Sequence, residues 1–340
     1  MENTENEPLT KLTDEPQTAN RKPQTANCKL LMSTIVTGSI AFDYLMSFPG
    51  KFTEHFLPEH MNRVSLSFLV DTMDKRRGGC APNIAYTLAL LGERPRLMGT
   101  AGQDFGDYRR WLEAAGVDTS LVKQVEDKFT ASFFCSTDSE SNQIASFYTG
   151  AMANAGELSF RTVEGARMVI ISPNDPGAMV QYAEECRALG IPFIWDPGQQ
   201  CARMNGDELR AGLAGSAIVI CNDYEFELIR QKTGLDEDGV FSHTGALIVT
   251  RGEQGSTARY GTRQVSVPAV PPHRLVDPTG VGDAFRGGLL KGLAMGADLE
   301  VCCRLGSMAA TYALEHLGGS SHTYTWDEFA ARYTSHFGSL

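Results

Sequence analysis

The run Asp277–Gly288 (DPTGVGDAFRGG) places a carboxylate directly after a glycine-rich turn, at the start of a helical pattern. Gly280 and Gly282 allow the backbone to approach a ligand closely. The free N–H groups of the first helical turn, together with the helix dipole, form an anion site. A carboxylate beside such a site repels phosphate. The pattern therefore predicts that Asp283 takes a proton from a hydroxyl group that attacks a phosphoryl group.

A simpler interpretation of this run is an ordinary helix start, in which Asp283 interacts favourably with the helix dipole. A second glycine pair, Gly78 and Gly79, precedes another helical pattern that has Asn83 in its first turn. Such a pair either lets the backbone approach a ligand or forms an ordinary loop. An inward-facing Asn83 needs a polar partner, and a sugar hydroxyl would be suitable.

Asp43 follows the first predicted strand, after the segment 38–42 (GSIAF). Open α/β sheets bind ligands at the carboxyl ends of their strands. A carboxylate at this place can accept hydrogen bonds from two adjacent hydroxyls of a ribose. Taken alone, the residue is equally well interpreted as an Asp that stabilises a turn.

Two further motifs follow later strands. Asn222 and Glu225 stand three residues apart at a helix start, where they form either an N-cap with its return hydrogen bond or a pair that orients waters on Mg²⁺. Thr250, Gly252 and Gly255 supply a hydroxyl and a glycine turn at the end of another strand. This last motif is also compatible with a simple β-turn between two strands.

The elements that would position these residues alternate between strands and helices from about residue 33 onward. Strands are predicted in the run Leu31–Ala41 and at Arg96–Thr100, Met168–Ser172, Phe193–Asp196, Ala217–Cys221 and Ala246–Thr250. Helices are predicted at Ala81–Leu91, Tyr108–Ala115, Gln181–Leu189, Glu225–Lys232, Val281–Met295 and, as the last, Leu299–His316. The alternation indicates parallel βαβ units in a sheet that is covered on both faces.

Two regions interrupt this alternation. Ser65–Thr72 alternates in the manner of a strand, while Phe129–Ser136 and Gln143–Thr149 flank a polar turn, as in a hairpin. Because no helices separate them, these strands predict a small second sheet inserted early in the domain. An exposed apolar face on such a sheet usually covers a ligand site or a second copy of itself.

The composition of the chain, with 340 residues of which 42% are hydrophobic and 21% charged, suits a soluble globular enzyme. The net charge of −11 argues against a nucleic-acid partner, although not against a nucleotide. No apolar segment is long enough for a membrane span, and eight cysteines without Cys-x-x-Cys spacing indicate reduced thiols in a cytoplasmic protein. Residues 1–29, which contain PQTAN twice, are expected to be a disordered tail.

In their order and spacing the four motifs resemble those of the ribokinase-like (PfkB) carbohydrate and nucleoside kinases, over about residues 33–330. The segments Ser39–Asp43, Met46–Val70 and Tyr312–Thr325 resemble the bacterial adenosine kinases in particular. The resemblance implies an α/β, ribokinase-like three-layer sandwich with a central, mostly parallel sheet and a small β-sheet lid. It implies one kinase domain at 30–340, with lid strands inserted near 45–72 and 129–149.

The resemblance also implies a role for each motif residue. Asp283 corresponds to the catalytic base, and the backbone of Gly280, Val281 and Gly282 corresponds to the anion hole. The residues that would hold the acceptor are Ser39, Asp43, Gly78, Gly79 and Asn83. Those that would hold the nucleotide are Asn222, Glu225, Thr250, Gly252 and Gly255, with Glu225 also binding Mg²⁺ through water.

Two positions depart from the family pattern. Val281 stands where Ala is usual, which the site should tolerate because an anion hole uses backbone N–H groups. Pro278 stands where Thr is most common and has no N–H, which weakens the case for a monovalent-cation loop near Asp277. Arg286 lies one helical turn after Gly282, where it would reach either a phosphate or a salt-bridge partner.

The implied activity is the ATP- and Mg²⁺-dependent phosphorylation of the ribose 5′-hydroxyl of adenosine to give AMP. Alternatives are a kinase for inosine, guanosine, ribose or fructose, and a ligand-binding homologue without catalysis. Phe42, Phe68, Phe133 and Phe134 would either stack on a base or form the core of the lid. The exposed apolar face of the lid also suggests a homodimer, in which a second copy covers it.

Overall fold

The computed structural model describes residues 33–56 and 65–340. Its strands are β1 (Ser33–Thr37), β2 (Ala41–Ser47), β3 (Thr72–Gly78), β4 (Arg96–Gly102), β5 (Asp118–Val125), β6 (Ala131–Thr137), β7 (Gln143–Tyr148), β8 (Ala166–Ile171), β9 (Phe193–Trp195), β10 (Ile218–Asn222), β11 (Ala246–Thr250), β12 (Ser256–Tyr260) and β13 (Arg263–Val267). Its α-helices are α1 (Cys80–Leu90), α2 (Gly106–Ala114), α3 (Pro176–Leu189), α4 (Gly206–Leu213), α5 (Asp223–Thr233), α6 (Glu237–Ser242), α7 (Val281–Met295), α8 (Leu299–Leu314) and α9 (Trp326–Phe337).

Nine of the described strands form one sheet, in the order β13-β12-β11-β10-β9-β8-β1-β4-β5. Neighbours from β5 to β11 run parallel, and β12 and β13 are antiparallel additions at one edge. The chain leaves β1 towards β4 on one side and later returns to β8 on the other. The carboxyl ends of β1 and β8 therefore form a topological switch point, the place where such sheets bind ligands.

Helices cover both faces of this sheet because successive side chains of each buried strand point in opposite directions. One core contains Ile170, Ile194, Ile220 and Ile248, together with buried residues of α1, α2, α7 and α8. The other core contains Val169, Trp195, Val219 and Val249, together with buried residues of α3, α4, α5 and α6. The result is a three-layer α/β arrangement, which confirms the predicted fold class.

A second sheet, which we call the lid, has the strand order β3-β2-β6-β7 among the described residues. Its β2 pairs antiparallel with β3 and parallel with β6, and β6 and β7 form the predicted hairpin. The lid strands come from two separate parts of the chain. Asp43 of β2 lies opposite Arg76 of β3 and Phe133 of β6, so these side chains share one face.

The predicted strand at Ser65–Thr72 is wrong, since residues 65–70 form a loop and the strand is Thr72–Gly78. The alternating pattern misled because its apolar positions do not share one buried face: Phe68 packs on Phe48 and Phe52, but Leu66 is exposed. The strand that forms instead is rich in charge and carries no apolar alternation.

Other predicted boundaries also changed. The run Leu31–Ala41 is not one strand, because the chain turns at Gly38, where φ is 153°, before β2 begins. The last described helix is α9, which packs on α8 and which the sequence prediction missed. The predicted tail at 1–29 lies outside the described residues. In the described part of the chain, no helix has both the length and the apolar character needed to cross a bilayer.

Candidate active site

Two neighbouring cavities lie beyond the carboxyl ends of the parallel strands. The larger has a volume of about 440 Å³ and is lined by Ser39, Asp43, Gly79, Asn83, Gly280 and Asp283, among others. The smaller has a volume of about 230 Å³ and is lined by Asn222, Glu225, Thr250, Gly280, Gly282 and Asp283, among others. Gly280 and Asp283 lie in the wall that the two cavities share. We call the larger the acceptor cavity and the smaller the phosphate cavity.

Helix α7 begins in this shared wall. Gly280 is its N-cap and has a φ of 75°, a left-handed conformation that favours glycine. A Cβ at Gly280 would overlap the Cα of Gly319, so the loop after α8 approaches the cap closely. Gly280 has no side chain to occupy the first-turn N–H groups, which leaves the backbone there available to an anion.

Asp283 lies in the first turn of α7 and is half-buried. Burial raises its pKa from the ordinary 3.8 to about 7, against the opposing effects of a hydrogen bond from Asn83 and the nearby Arg286 guanidinium. The Asn83 Nδ2 atom donates to Asp283 Oδ2 at 2.9 Å. A carboxylate with a pKa near neutrality can accept and release a proton at physiological pH.

Asn83 also has an atom free for a ligand. It lies on α1 and is buried, and its Oδ1 has no hydrogen-bond partner within the described residues. A buried polar atom without a hydrogen-bond partner is energetically unfavourable. A hydroxyl group in the acceptor cavity would supply the hydrogen bond that the Asn83 Oδ1 lacks. The structure thus gives Asn83 a contact with the candidate base that the sequence did not predict.

Asp43 reaches the acceptor cavity from the lid. Burial raises its pKa to about 6, and the Arg76 guanidinium opposes this shift. Gly78 does not line the cavity, but a Cβ there would overlap the Asp43 carboxylate. Gly79 has a φ of 93° and passes close to the backbone of Ser39 and Ala41. These two glycines therefore make room for Asp43 and for the crossing of β2 over the start of α1.

Asn222 and Glu225 form a complete capping box at the start of α5. The Glu225 N–H donates to Asn222 Oδ1 at 2.7 Å, and the Asn222 N–H donates to Glu225 Oε2 at 2.9 Å. Both residues also line the phosphate cavity, so they cap α5 and remain accessible to a ligand in that cavity. Gly252 and Gly255 lie in the turn after β11 but do not line either cavity, and neither does Val281.

Arg286 makes a buried ion pair. Its Nε and Nη2 atoms each donate to the Asp196 carboxylate at 2.5 Å, and its Nη1 donates to the Gly282 carbonyl at 3.0 Å. Of the two interpretations of Arg286, the salt bridge is the one that the structure shows. The guanidinium still lines the phosphate cavity and fixes the backbone of the anion site from behind.

The charges around the phosphate cavity suit a divalent cation. Three carboxylates line it, those of Asp196, Glu225 and Asp283, against one guanidinium, that of Arg286. This excess of negative charge would repel a polyphosphate unless a cation accompanied it. Within the described ranges no three metal-ligating side chains converge. Mg²⁺ does not need such a cage, because it is usually held by one or two carboxylates, phosphate oxygens and water.

Only one of the four phenylalanines predicted to stack on a base or to form the lid core lies at the cavity. Phe133 lines the acceptor cavity, but Phe42 packs in the core, Phe68 packs on Phe48, and Phe134 stacks on Tyr44 at 4.8 Å between ring centroids. The lining residues that the sequence prediction missed include Phe147, Met152, Gln199, Gln200 and Arg203. The glutamines follow β9 just as Asp43 follows β1, so their place after a strand was the available signal.

Several known proteins are similar to this chain in sequence and in fold. The pfkB family carbohydrate kinase model matches residues 40–326. A nucleoside kinase of Burkholderia thailandensis, solved in complex with inosine, is 40% identical, with a TM-score of 0.81 over 90% of this chain and 99% of that chain. Its complex with ADP-inosine gives a TM-score of 0.79 over 90% and 96%. A nucleoside kinase of Methanothermobacter thermautotrophicus is 30% identical over 89% of this chain and 96% of that relative.

Proposed function

Because the chain belongs to the pfkB family of carbohydrate kinases, and its relatives there include nucleoside kinases, we propose that it phosphorylates the 5′-hydroxyl of a purine ribonucleoside with ATP. The observation that carries this proposal is the shared wall. Asp283 faces a cavity suited to an acceptor on one side and a cavity suited to phosphates on the other. A base in that position can reach the hydroxyl whose oxygen attacks the phosphorus.

The reaction needs one proton transfer and one phosphoryl transfer. Asp43 and the Asn83 Oδ1 accept hydrogen bonds from the sugar and hold the nucleoside. The Asp283 carboxylate takes the proton of the 5′-hydroxyl, whose oxygen forms a bond to the γ-phosphorus of ATP while the bond to the β-phosphate oxygen breaks and ADP leaves. The N–H groups at the start of α7 stabilise the charge on the transferring group.

Mg²⁺ would neutralise phosphate charge when it is bound, and Glu225 with Asn222 are the residues that would hold it through water. The side chains of the protein contribute by holding the catalytic carboxylate and the acceptor in place. Asn83 fixes the Asp283 carboxylate, and the lid carries Asp43 over the acceptor. Closing the lid excludes water, which would otherwise compete with the nucleoside for the phosphoryl group.

The reaction leaves open which purine the acceptor nucleoside carries. Adenosine is the acceptor that the sequence resemblance favours, whereas the relative from Burkholderia thailandensis is solved with inosine. Phe133 and Phe147 line the cavity and offer faces on which a purine can stack. Gln200 is buried, and its Oε1 has no partner within the described part of the chain, so it can accept from a donor on the base.

A kinase of ribose or fructose is the second candidate, and a non-catalytic binding protein is the third. An acceptor cavity of about 440 Å³ with two aromatic side chains is larger and more apolar than a monosaccharide needs. The elevated pKa of Asp283, about 7, is a feature of a working base that simple binding does not require.

A second copy of the chain is the partner that we propose for the lid. Tyr44, Phe134, Ile144 and Tyr148 lie on the lid face opposite to Asp43 and Phe133, because their positions alternate along paired strands. Phe134, Ile144 and Tyr148 are exposed. An apolar outer face of this kind is usually covered in the functional protein, and pairing two lids would cover it.

The test is a panel of acceptors with ATP and Mg²⁺, in which nucleotide product and ADP are measured together. Adenosine, inosine, guanosine, 2′,3′-dideoxyadenosine, ribose and fructose make up the panel. We expect the purine ribonucleosides to be converted and the dideoxy compound to be poor, because Asp43 would lack its hydroxyl partners. Conversion of ribose alone would support the sugar kinase, and no conversion of any acceptor would support the binding protein.

A further inference from the structure

Arg76 occupies a central position that the motifs did not reveal. It lies on β3 directly opposite Asp43, on the inner face of the lid. Its guanidinium approaches two other carboxylates, with Nη2 at 3.1 Å from Asp74 Oδ2 and Nη1 at 3.8 Å from Asp277 Oδ2. One side chain of the lid therefore reaches beyond the lid, to the loop that leads into α7.

The two ion pairs differ in their surroundings. The Asp74 side chain is 66% exposed, whereas those of Asp277 and Arg76 are 14% and 24% exposed. Exposed pairs contribute little because water screens them, while a partly buried pair is screened less. The contact with Asp277 is thus the one that can transmit the position of the lid.

Asp277 organises the backbone around the anion site. Its Oδ1 accepts from the Thr279 N–H at 2.9 Å, and its Oδ2 accepts from the Gly318 N–H at 2.8 Å. Burial acts to raise the pKa of Asp277, but these hydrogen bonds and the Arg76 guanidinium outweigh burial and lower it. Asp277 is therefore a charged junction between two loops.

Those two loops meet at the shared wall of the cavities. Gly319 follows Gly318 and packs against Gly280, the N-cap of α7. On its other side Gly319 packs against the Asn83 amide, which holds Asp283. A movement of Asp277 would consequently change the place of both the anion site and the base.

We propose that Arg76 is a positioning residue, which joins the lid strand beside Asp43 to the loop that leads into the anion site through Asp277. The proposal rests on the proposed function, since it assigns the acceptor to Asp43 and the phosphate to the start of α7. Arg76 touches neither substrate. It keeps the two halves of the reaction aligned across Asp283 when the lid is closed.

The kinetic test compares Arg76→Gln with Asp74→Asn, which removes only the exposed partner of the same guanidinium. For Arg76→Gln we expect kcat/KM for the nucleoside to fall about tenfold, within the usual range of coupling between sites. ADP formed without nucleotide product should rise, while the KM for ATP stays within about twofold. Asp74→Asn should match the wild-type protein in all three quantities.

The double variant Arg76→Gln/Asp277→Asn tests the link itself. If the two side chains act through one another, the double variant is no worse than the more damaged single variant. Full multiplication of the two single losses would overturn the proposal. So would an Arg76→Gln variant with unchanged kcat/KM and unchanged product per ADP.

A measurement on the protein without substrate tests the link between Arg76 and Asp277 independently of kinase activity. Amide hydrogen exchange at Thr279 and Gly318 should be faster in Arg76→Gln than in Asp74→Asn, because Asp277 loses its guanidinium partner. Equal exchange in the two variants would refute the link. If the wild-type protein phosphorylates no acceptor, the proposed function fails, and the exchange measurement still decides whether Arg76 holds the loop.

Discussion

At the scale of single residues, Asp283 has two properties that reinforce one another, because a neighbouring anion raises the pKa of a carboxyl group further. It is a carboxylate in the wall of the cavity that we propose for phosphate, and it has a pKa near 7 because burial outweighs the hydrogen bond from Asn83 and the charge of Arg286. A base with an unperturbed pKa of 3.8 would hold an abstracted proton weakly. The raised pKa gives more driving force for proton transfer while leaving much of the group unprotonated at neutral pH.

Replacing Asp283 by Asn should lower kcat by about 10²–10⁴-fold, the range of general-base catalysis. The KM values for both substrates should change little, because the amide is nearly the same size as the carboxylate. Steady-state kinetics with purified protein checks this, with Asp74→Asn as a surface control of the same chemical change. A variant with near-wild-type kcat would remove Asp283 from the role of base.

The same pKa shift predicts a pH dependence of stability. The native state binds the Asp283 proton more tightly than the unfolded chain, so its contribution to stability falls as pH rises from about 4 to about 7. Asp283→Asn removes this penalty. We therefore expect the variant to be more stable than the wild-type protein in urea at about pH 8, and the difference to shrink towards about pH 4. A constant difference would indicate a packing effect and not a proton.

At the scale of elements, three glycines of α7 set the position of Asp283. A Cβ at Gly287 would lie 2.7 Å from the Thr87 side chain on α1, and one at Gly292 would lie 2.7 Å from Cys302 on α8. Gly288 approaches the α8 backbone even more closely. These contacts let α7 pack tightly between α1 and α8, which brings Asp283 within hydrogen-bond distance of Asn83.

Gly288→Ala should lower the free energy of unfolding by about 1–3 kcal/mol, the usual cost of overpacking a core. The new Cβ would lie 2.6 Å from the Leu305 carbonyl carbon, and backbone atoms cannot rotate away. Gly106→Ala is the control, because a Cβ there would meet only the end of Arg110 at 3.8 Å. Urea denaturation of both variants should show a loss in the first alone.

The sequence predicted what depends on local pattern. The helix Val281–Met295 was predicted to the residue, since a glycine turn and a carboxylate mark its start. The bond between Asn83 and Asp283 spans 200 positions and depends on how α1 packs against α7, which local patterns do not encode. The strand Thr72–Gly78 was missed for a similar reason. Its charged residues find their partners only after the lid has formed.

At the scale of the whole molecule, the lid has two faces with different surroundings. The inner face presents Asp43, Phe133 and Phe147 to the acceptor cavity. The outer face exposes apolar side chains, including Ile144, which is 40% exposed. A lid that is covered on its outer side by a second lid would have its aromatic residues fixed before the substrate arrives.

Ile144→Glu should weaken self-association by at least about tenfold, because it places a charge in the proposed interface. Leu189→Glu is the matched control, since Leu189 is 44% exposed but lies at the end of α3, outside the lid. Sedimentation velocity over a concentration series measures both variants. Equal association of the two would place the contact elsewhere, and a monomeric wild-type protein would refute the dimer.

The wall shared by the two cavities has a consequence for inhibitor chemistry. Since Gly280 and Asp283 border both spaces, the end of a ligand in one space would lie next to the end of a ligand in the other. A single compound that joins a nucleoside to a nucleotide through a polyphosphate chain could occupy both at once. It would lose its freedom of translation only once, so its affinity would exceed that of either half.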